Sequence, residues 1–129
     1  MLQFDSAAQG VTKSALEAVR TPVGRRKGGF ADVHPADLAA HSLKELVARA
    51  GIDPSLVEDV VLGCLDNIGA QAGDIARTSA LAAGFPISVP GYQLDRRCGS
   101  GLQSVIDAAM MVQTGAADVV IAGGVESMS

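Results

Sequence analysis

The chain has 129 residues, of which 48% are hydrophobic and 19% charged, and its formal net charge is −4. This length accommodates one domain, and an acidic balance without a basic stripe argues against a nucleic-acid-binding protein. No apolar run reaches the roughly 18 residues of a membrane helix, and no signal peptide opens the sequence. With two cysteines and no other mark of a secreted protein, we expect a reducing, cytoplasmic location.

The first half of the chain predicts one helix between two strands. Residues 1–13 are mixed and polar, and we predict an irregular N-terminal segment there. Residues 14–19 predict a short strand, which the Pro- and Gly-rich stretch after it ends. Residues 35–50 predict a helix, because apolar residues recur on one face and Pro and Gly stand at its two ends. Residues 57–62, which contain Val-Val-Leu, predict the second strand.

The second half continues the alternation of strands and helices. Residues 71–83 predict a helix that ends before a glycine, and residues 89–94 predict a short strand. Residues 99–114 predict a helix that is apolar nearly all round, which is typical of a helix buried on most sides. Residues 117–122 predict a buried strand that two glycines end. The order β-α-β-α-β-α-β predicts an α/β fold, with helices on the faces of a parallel or mixed sheet.

Cys98 is the residue of this chain that is best placed for chemistry. It lies where a predicted strand turns into the last predicted helix, and the unpaired N–H groups and dipole of a helix N-terminus favour a thiolate. Arg96 and Arg97 add positive charge, while Gly99 and Gly101 let a substrate approach the backbone. The pattern is that of a nucleophile elbow with sulfur as the nucleophile. A lone cysteine in an apolar chain is more often a core residue, so the pattern alone leaves both interpretations open.

The other reactive or charged residues give weaker signals. Cys64 follows Val-Val-Leu-Gly at a strand end with no helix start after it, and we predict a structural thiol. His34 and His41 are predicted to be surface residues, and no metal site is expected. The basic stretch at residues 25–27 lies in a Gly-rich turn, and we interpret it as a solvated loop rather than a phosphate contact.

Three blocks of the sequence resemble thiolases, in family order and at family spacing. Residues 20–24, Arg-Thr-Pro-Val-Gly, resemble the early R-T-P-x-G segment. Residues 98–103, Cys-Gly-Ser-Gly-Leu-Gln, resemble the segment around the acyl-accepting cysteine. Residues 115–129 resemble the run G-x-A-D-V-x-x-A-G-G-x-E-x-M-S. The last two blocks also resemble the related β-ketoacyl synthases, whereas R-T-P-x-G and E-S-M-S favour thiolase.

The resemblance implies a thiolase-type layered α/β domain with a mixed sheet and a buried central helix, of which residues 14–129 would be an incomplete N-terminal part. It implies an acyltransferase that makes or breaks the carbon–carbon bond beside a CoA thioester carbonyl. Cys98 would attack the acyl carbonyl and hold the acyl group as a thioester, and its backbone N–H would donate to the oxyanion. The family acts on acyl-CoA as a homodimer or homotetramer and implies no further cofactor.

The chain lacks other parts of the family's catalytic apparatus. The G-H-P-x-G, C-x-G-G and N-E-A-F segments do not occur in it. We therefore predict that the isolated chain is inactive, and we assign no CoA-binding residues. A chain that stops directly after a strand is expected to leave a sheet edge and an apolar helix face uncovered. A fragment, a truncated product and one piece of a split protein all remain open.

Two other functions are consistent with the same residues. A condensing enzyme of the β-ketoacyl synthase type would accept carrier-protein thioesters and use two histidines instead of a second cysteine. A non-catalytic thiolase-like module would bind acyl-CoA or a partner protein, with Cys98 as a buried structural thiol. The sequence beyond residue 129 would distinguish the first alternative. Alkylation of Cys98 no faster than that of Cys64 would favour the second.

Overall fold

The computed structural model describes residues 2–5 and 14–128, which form an α/β arrangement. The strands in this part of the chain are β1 (Leu2–Asp5), β2 (Ser14–Ala18), β3 (Asp59–Gly63), β4 (Tyr92–Leu94) and β5 (Val119–Gly124). The α-helices are α1 (Pro35–Ala50), α2 (Ile75–Ala82) and α3 (Ser100–Thr114). Two short 3₁₀ turns lie at Pro54–Leu56 and Gly69–Gln71. No helix among these residues has the length and apolar character needed to cross a membrane.

The sheet is mixed, as the sequence predicts, with strand order β2-β1-β5-β3-β4. Strand β3 lies in the middle of its parallel half, paired with β4 on one side and with β5 on the other. Strand β1 runs antiparallel to both β5 and β2. The parallel strands β3 and β5 end in register at Gly63 and Gly124. In sheets of this kind, ligands bind outside the carboxyl ends of the parallel strands, so this edge is where a site is expected.

The N-terminal segment corrects one prediction. Residues 1–13 were expected to be irregular, yet Leu2–Asp5 forms strand β1 and fills the place between β5 and β2. The reason is non-local: the edge of β5 offers unpaired backbone groups that an added strand satisfies, whatever the local propensity. The rest of that prediction, residue 1 and residues 6–13, lies outside the described residues.

The remaining elements lie where the sequence predicts them, with shifts at their ends. Helix α1 has the predicted bounds, and Gly51 ends it in the left-handed conformation at φ 66°. Helix α2 begins only at Ile75, because Gly73 adopts φ 82° and the Asp74 carboxylate then caps the Ala76 and Arg77 N–H groups. Strand β4 is shorter than predicted and excludes Pro90, which has no N–H to donate to a ladder.

The helices cover the two faces of the sheet. One core joins α1 and α2 to β3, and its largest fully buried members include Leu43, Leu46 and Leu62. The second core lies between α3 and the opposite face of the sheet, around Val61 and Val120. Both faces of the parallel strands are therefore apolar, which explains their continuous hydrophobic sequence.

Helix α3 is half-buried rather than buried, which corrects the prediction from its sequence. Its buried residues form one stripe of mostly small side chains that seats the helix on the sheet: Ser100, Ser104, Ala108 and Val112. On the opposite side, Leu102 is 68% exposed, and Ile106 and Met110 are 40% and 49% exposed. The expected uncovered apolar helix face is thus confirmed for the described residues. A helix that is apolar all round needs cover on both sides, and the described part of the chain supplies one.

Candidate active site

The turn between β4 and α3 presents Cys98 to solvent. The Asp95 carboxylate accepts the Arg97 N–H at 2.7 Å. The Ser100 hydroxyl accepts the Arg96 N–H at 2.8 Å and donates to the Arg97 carbonyl at 2.6 Å. Arg97 has φ 52°, a backbone conformation that residues other than glycine rarely adopt. The residue before the cysteine is therefore strained, as expected of a sharp turn that displays a nucleophile.

The first turn of α3 sits directly on the ends of the parallel strands. A Cβ added to Gly63 would lie 2.3 Å from the Ser100 carbonyl carbon and 2.5 Å from the Gly101 nitrogen. A Cβ on Gly124, its partner in the ladder, would lie 3.4 Å from the Gly101 Cα, which is ordinary contact. The Ser104 hydroxyl donates to the Gly123 carbonyl at 2.6 Å. Close packing of backbone on backbone thus fixes the start of α3, and with it the place of Cys98.

The helix starts one residue later than predicted. Gly99 is the N-cap and Ser100 the first helical residue, so Cys98 precedes the cap. Gly99 offers no capping side chain, and the first residues of α3, Ser100 and Gly101, line the same cavity as Cys98. The predicted association of the cysteine with a helix N-terminus is therefore confirmed, at one residue's greater distance.

Cys98 lines an open pocket of about 480 Å³ at the carboxyl edge of the sheet. Its other walls come from the ends of β3 and β5 and the segments that follow them, and include Cys64, Glu126 and Met128. Cys98 is exposed and Cys64 buried, and both are free thiols. Both cysteines therefore line one pocket, but only Cys98 is exposed to solvent.

Glu126 holds the floor of this pocket together. Its carboxylate accepts the Leu65 N–H at 2.8 Å, the Asp66 N–H at 3.3 Å and the Gln71 side-chain amide at 3.0 Å. Gln71 is only 4% exposed, and its amide oxygen accepts the Ser127 N–H at 2.6 Å. The loop after β3 and the segment after β5 are thereby tied into one unit.

The two arginines before Cys98 have different roles. Arg96 donates to the side-chain oxygen of Gln103, whose amide in turn donates to Asp107 at 2.6 Å, so its charge lies along the flank of α3. Arg97 lines the pocket beside Cys98 and lies 3.9 Å from the Asp95 carboxylate in an exposed ion pair. Of these two arginines, only Arg97 lines the pocket.

The environment of Cys64 keeps its thiol protonated. Burial raises the pKa of Cys64 to about 11, and the Glu126 carboxylate, with an oxygen 4.0 Å from the sulfur, adds to this by repelling a thiolate. Cys64 is thus a structural thiol at neutral pH, as its sequence context predicts.

The raised pKa of Cys64 makes stability fall at alkaline pH. The folded protein keeps the Cys64 proton above the ordinary thiol pKa of 9.0, whereas the unfolded chain loses it. The contribution of Cys64 to the free energy of unfolding is therefore intact below pH 9 and is lost as pH rises towards 11. We expect the free energy of unfolding to drop by about 2 kcal/mol across this interval. Urea denaturation at stepped pH measures it, and Cys64→Ala should flatten the profile while Cys98→Ser should not. An unchanged slope in Cys64→Ala would contradict the assignment.

Both histidines lie at the surface, as predicted, and neither lines the Cys98 pocket. His34 is the N-cap of α1, and its Nδ1 accepts the Ala36 N–H at 3.2 Å. His41 is exposed on α1. Among the described residues, no group of three or more histidine, cysteine or acidic side chains is arranged to hold a metal ion.

Comparison with known proteins identifies the family of this chain. Residues 15–129 match the family model of the thiolase N-terminal domain. The chain belongs to the thiolase family. It is 52% identical over 114 residues to a steroid 3-ketoacyl-CoA thiolase of Mycobacterium tuberculosis, covering 88% of this chain and 28% of that relative. It is 44% identical over 114 residues to the 3-oxoadipyl-CoA/3-oxo-5,6-dehydrosuberyl-CoA thiolase of Escherichia coli, with the same two shares covered.

A solved structure gives the same result for the fold. The crystal structure of the Bacillus anthracis acetyl-CoA acetyltransferase aligns with a TM-score of 0.83 at 42% identity, over 98% of this chain and 29% of that one. The thiolase-type α/β fold is therefore confirmed. This chain spans less than a third of the length of these relatives.

Sequence reasoning missed the residues that build the site around Cys98. The sequence gives Glu126 no role beyond its place in the thiolase-like block. It gives no role to Gly63 or Gln71. A glycine between a buried strand and a cysteine is a usable signal for close backbone approach. No local pattern indicates a role for Gln71, because its partners Glu126 and Ser127 lie far away along the chain.

Proposed function

We propose that this chain is the nucleophile-bearing part of a thiolase that transfers acyl groups between CoA thioesters. The observation that carries the proposal is Cys98 itself, an exposed thiol that lines an open pocket on a turn fixed by backbone packing. The family match favours this reaction over that of a β-ketoacyl synthase. The exposure of Cys98 argues against a buried structural thiol.

The proposed chemistry is covalent catalysis followed by a Claisen-type step. In the degradative direction, the Cys98 thiolate adds to the 3-keto carbonyl, the C2–C3 bond breaks, and acetyl-CoA leaves as a carbanion that takes up a proton. The acyl group stays on sulfur as a thioester until the CoA thiol displaces it. The backbone N–H of Cys98, in the turn before α3, would donate to the oxyanion.

The described residues supply the nucleophile of this reaction, with neither a histidine nor a second exposed thiol beside it. No histidine lines the Cys98 pocket, and the Cys64 thiol holds its proton because its pKa is raised to about 11. We therefore propose that the remaining acid/base groups come from the rest of a longer thiolase polypeptide. The same polypeptide would cover Leu102, Ile106 and Met110 on α3, which are exposed here.

The assembly and location follow from the same proposal. A homodimer or homotetramer in the cytoplasm fits the family, and two free thiols beside one pocket fit a reducing compartment. No cofactor is required besides the CoA that the substrate carries.

Acetyl transfer to Cys98 tests the proposal directly. The chain is incubated with acetyl-CoA, and the expected result is one acetyl group on Cys98, located by peptide mass spectrometry, because transfer from one thiol to another needs only the thiolate. Cys98→Ser should abolish the adduct and Cys64→Ser should preserve it. Acetoacetyl-CoA should not be turned over by the chain alone. Acetylation of Cys64 at an equal rate, or none at Cys98, would instead favour a non-catalytic module.

A further inference from the structure

A second cavity, lined by two arginines, adjoins the Cys98 pocket. It has a volume of about 860 Å³ and lies between the loop after β2 and the segment after β5. Arg20 and Arg26 line it, and Glu126 and Met128 line both this cavity and the Cys98 pocket. The two cavities therefore meet at the residues that follow β5, and we call the larger one the arginine groove.

The charges of the arginine groove are not neutralised within the described residues. Neither Arg20 nor Arg26 forms an ion pair there, and Arg25 and Lys27 add further positive charge on the same loop. Glu126 is the one acid among the residues that line the groove. Both of its carboxylate oxygens already accept hydrogen bonds from the loop after β3. The field inside the groove is therefore positive, and it attracts an anion.

The groove also has an apolar wall and an ordered frame. Pro22, Val23 and Phe30 line it, and Val23 is 88% exposed. The loop is held by a hydrogen bond from the Gly28 N–H to the Arg25 carbonyl at 2.8 Å. A Cβ on Gly24 would come within 3.0 Å of the Phe30 ring, so the loop packs on this side chain. An apolar wall with cations beside it suits a ligand that has a hydrocarbon part and an oxyanion.

We propose that the arginine groove binds an oxyanion of the acyl thioester whose carbonyl is attacked by Cys98. The inference rests on the proposed function, since it uses the position of the reacting carbonyl at Cys98. Two parts of such a substrate carry an oxyanion: a carboxylate at the far end of the acyl chain, and the phosphates of the CoA. Either one, bound by Arg20 and Arg26, would extend from the Cys98 pocket past Met128 into the groove.

Selective alkylation of Cys98 tests this inference. Iodoacetamidohexanoate and its methyl ester share the same reactive carbon and the same chain to the carboxyl group, and the ester adds one methyl group. In both, the thiolate displaces iodide to form a carbon–sulfur bond. At low ionic strength, Cys98 should react about fivefold faster with the carboxylate than with the ester, which is the range of one exposed charge pair. In Arg26→Gln and Arg20→Gln, the ratio of the two rates should fall towards one.

The loop provides a matched control. Arg25→Gln removes the same charge from the neighbouring position, which does not line the groove, and it should leave most of the preference intact. If Arg25→Gln and Arg26→Gln lost the preference for the carboxylate reagent equally, a diffuse positive field would explain it, and binding in the groove would be overturned. The rate with the ester reports the reactivity of Cys98 by itself. A failure of the proposed function would therefore appear in both reagents, and a failure of the groove only in their ratio.

Competition at matched ionic strength separates the two sources of the oxyanion. If glutarate slows the alkylation of Cys98, and if this slowing disappears in Arg26→Gln, the groove is assigned to the carboxylate of a dicarboxylic acyl chain. If desulfo-CoA slows the alkylation of Cys98, and if this slowing disappears in Arg26→Gln, the groove is assigned to the CoA phosphates. The inference would be overturned if the unmodified chain reacted equally fast with both reagents, and if neither glutarate nor desulfo-CoA slowed the reaction in a way that depends on Arg26.

Discussion

Alanine at position 63 is expected to lower the free energy of unfolding by about 3 kcal/mol or more, because the substitution overpacks a closed backbone contact. The new Cβ would lie 2.3 Å from the Ser100 carbonyl carbon, in a place where no side chain can move aside. Helix α3 would have to retreat from the ends of β3 and β5. Its first turn, and Cys98 before it, would retreat with it.

Urea denaturation and the rate of Cys98 alkylation together measure this effect. The matched control is Gly101→Ala, because a Cβ at Gly101 meets nothing within 4 Å and alanine is the better helix former. Gly101→Ala should therefore be neutral or stabilising by up to about 1 kcal/mol. If Gly63→Ala unfolds at the same urea concentration as the unmodified chain, the contact between β3 and α3 is not closed as described here.

The elements that the sequence predicts best are those whose causes are local. Helix α1 has the predicted bounds because Pro35, the apolar face and Gly51 all act within the segment itself. Strands β3 and β5 were predicted from short apolar runs, and they are the strands buried on both faces. The position of Cys98 at a strand-to-helix turn was predicted for the same reason, since glycines and a change of period mark such a turn.

The features that the sequence did not predict depend on distant parts of the chain. Strand β1 exists through its pairing with β5, more than a hundred positions along the chain, and nothing within Leu2–Asp5 specifies that partner. The apolar sequence of α3 predicts cover on all sides, whereas its burial depends on what packs over Leu102 and Ile106. The same limit applies to the site, because Gln71 and Glu126 meet only after β3 and β5 have paired.

The pairing of Glu126 with the loop after β3 leads to the second large effect. Glu126→Ala should lower the free energy of unfolding by about 2 kcal/mol, because the buried Gln71 amide loses a charged acceptor, whereas water can replace the carboxylate in the exposed bonds from Leu65 and Asp66. Gln71 is the costliest of these donors, since it is buried and its other contacts hold it in place. With the loop released, Cys64 should become open to solvent.

Denaturation combined with alkylation of Cys64 distinguishes this site from an ordinary loss of stability. The matched control is Glu58→Ala at the opposite end of the same strands, where the Glu58 carboxylate accepts the Asp118 and Val119 N–H groups. Both variants should be less stable, but only Glu126→Ala should speed the alkylation of Cys64, because only the Glu126 carboxylate lies beside that thiol, 4.0 Å from its sulfur. Equal alkylation rates in the two variants would mean that Glu126 stabilises the fold without closing the pocket. A faster rate in Glu126→Ala alone would show that this carboxylate shields Cys64 from solvent.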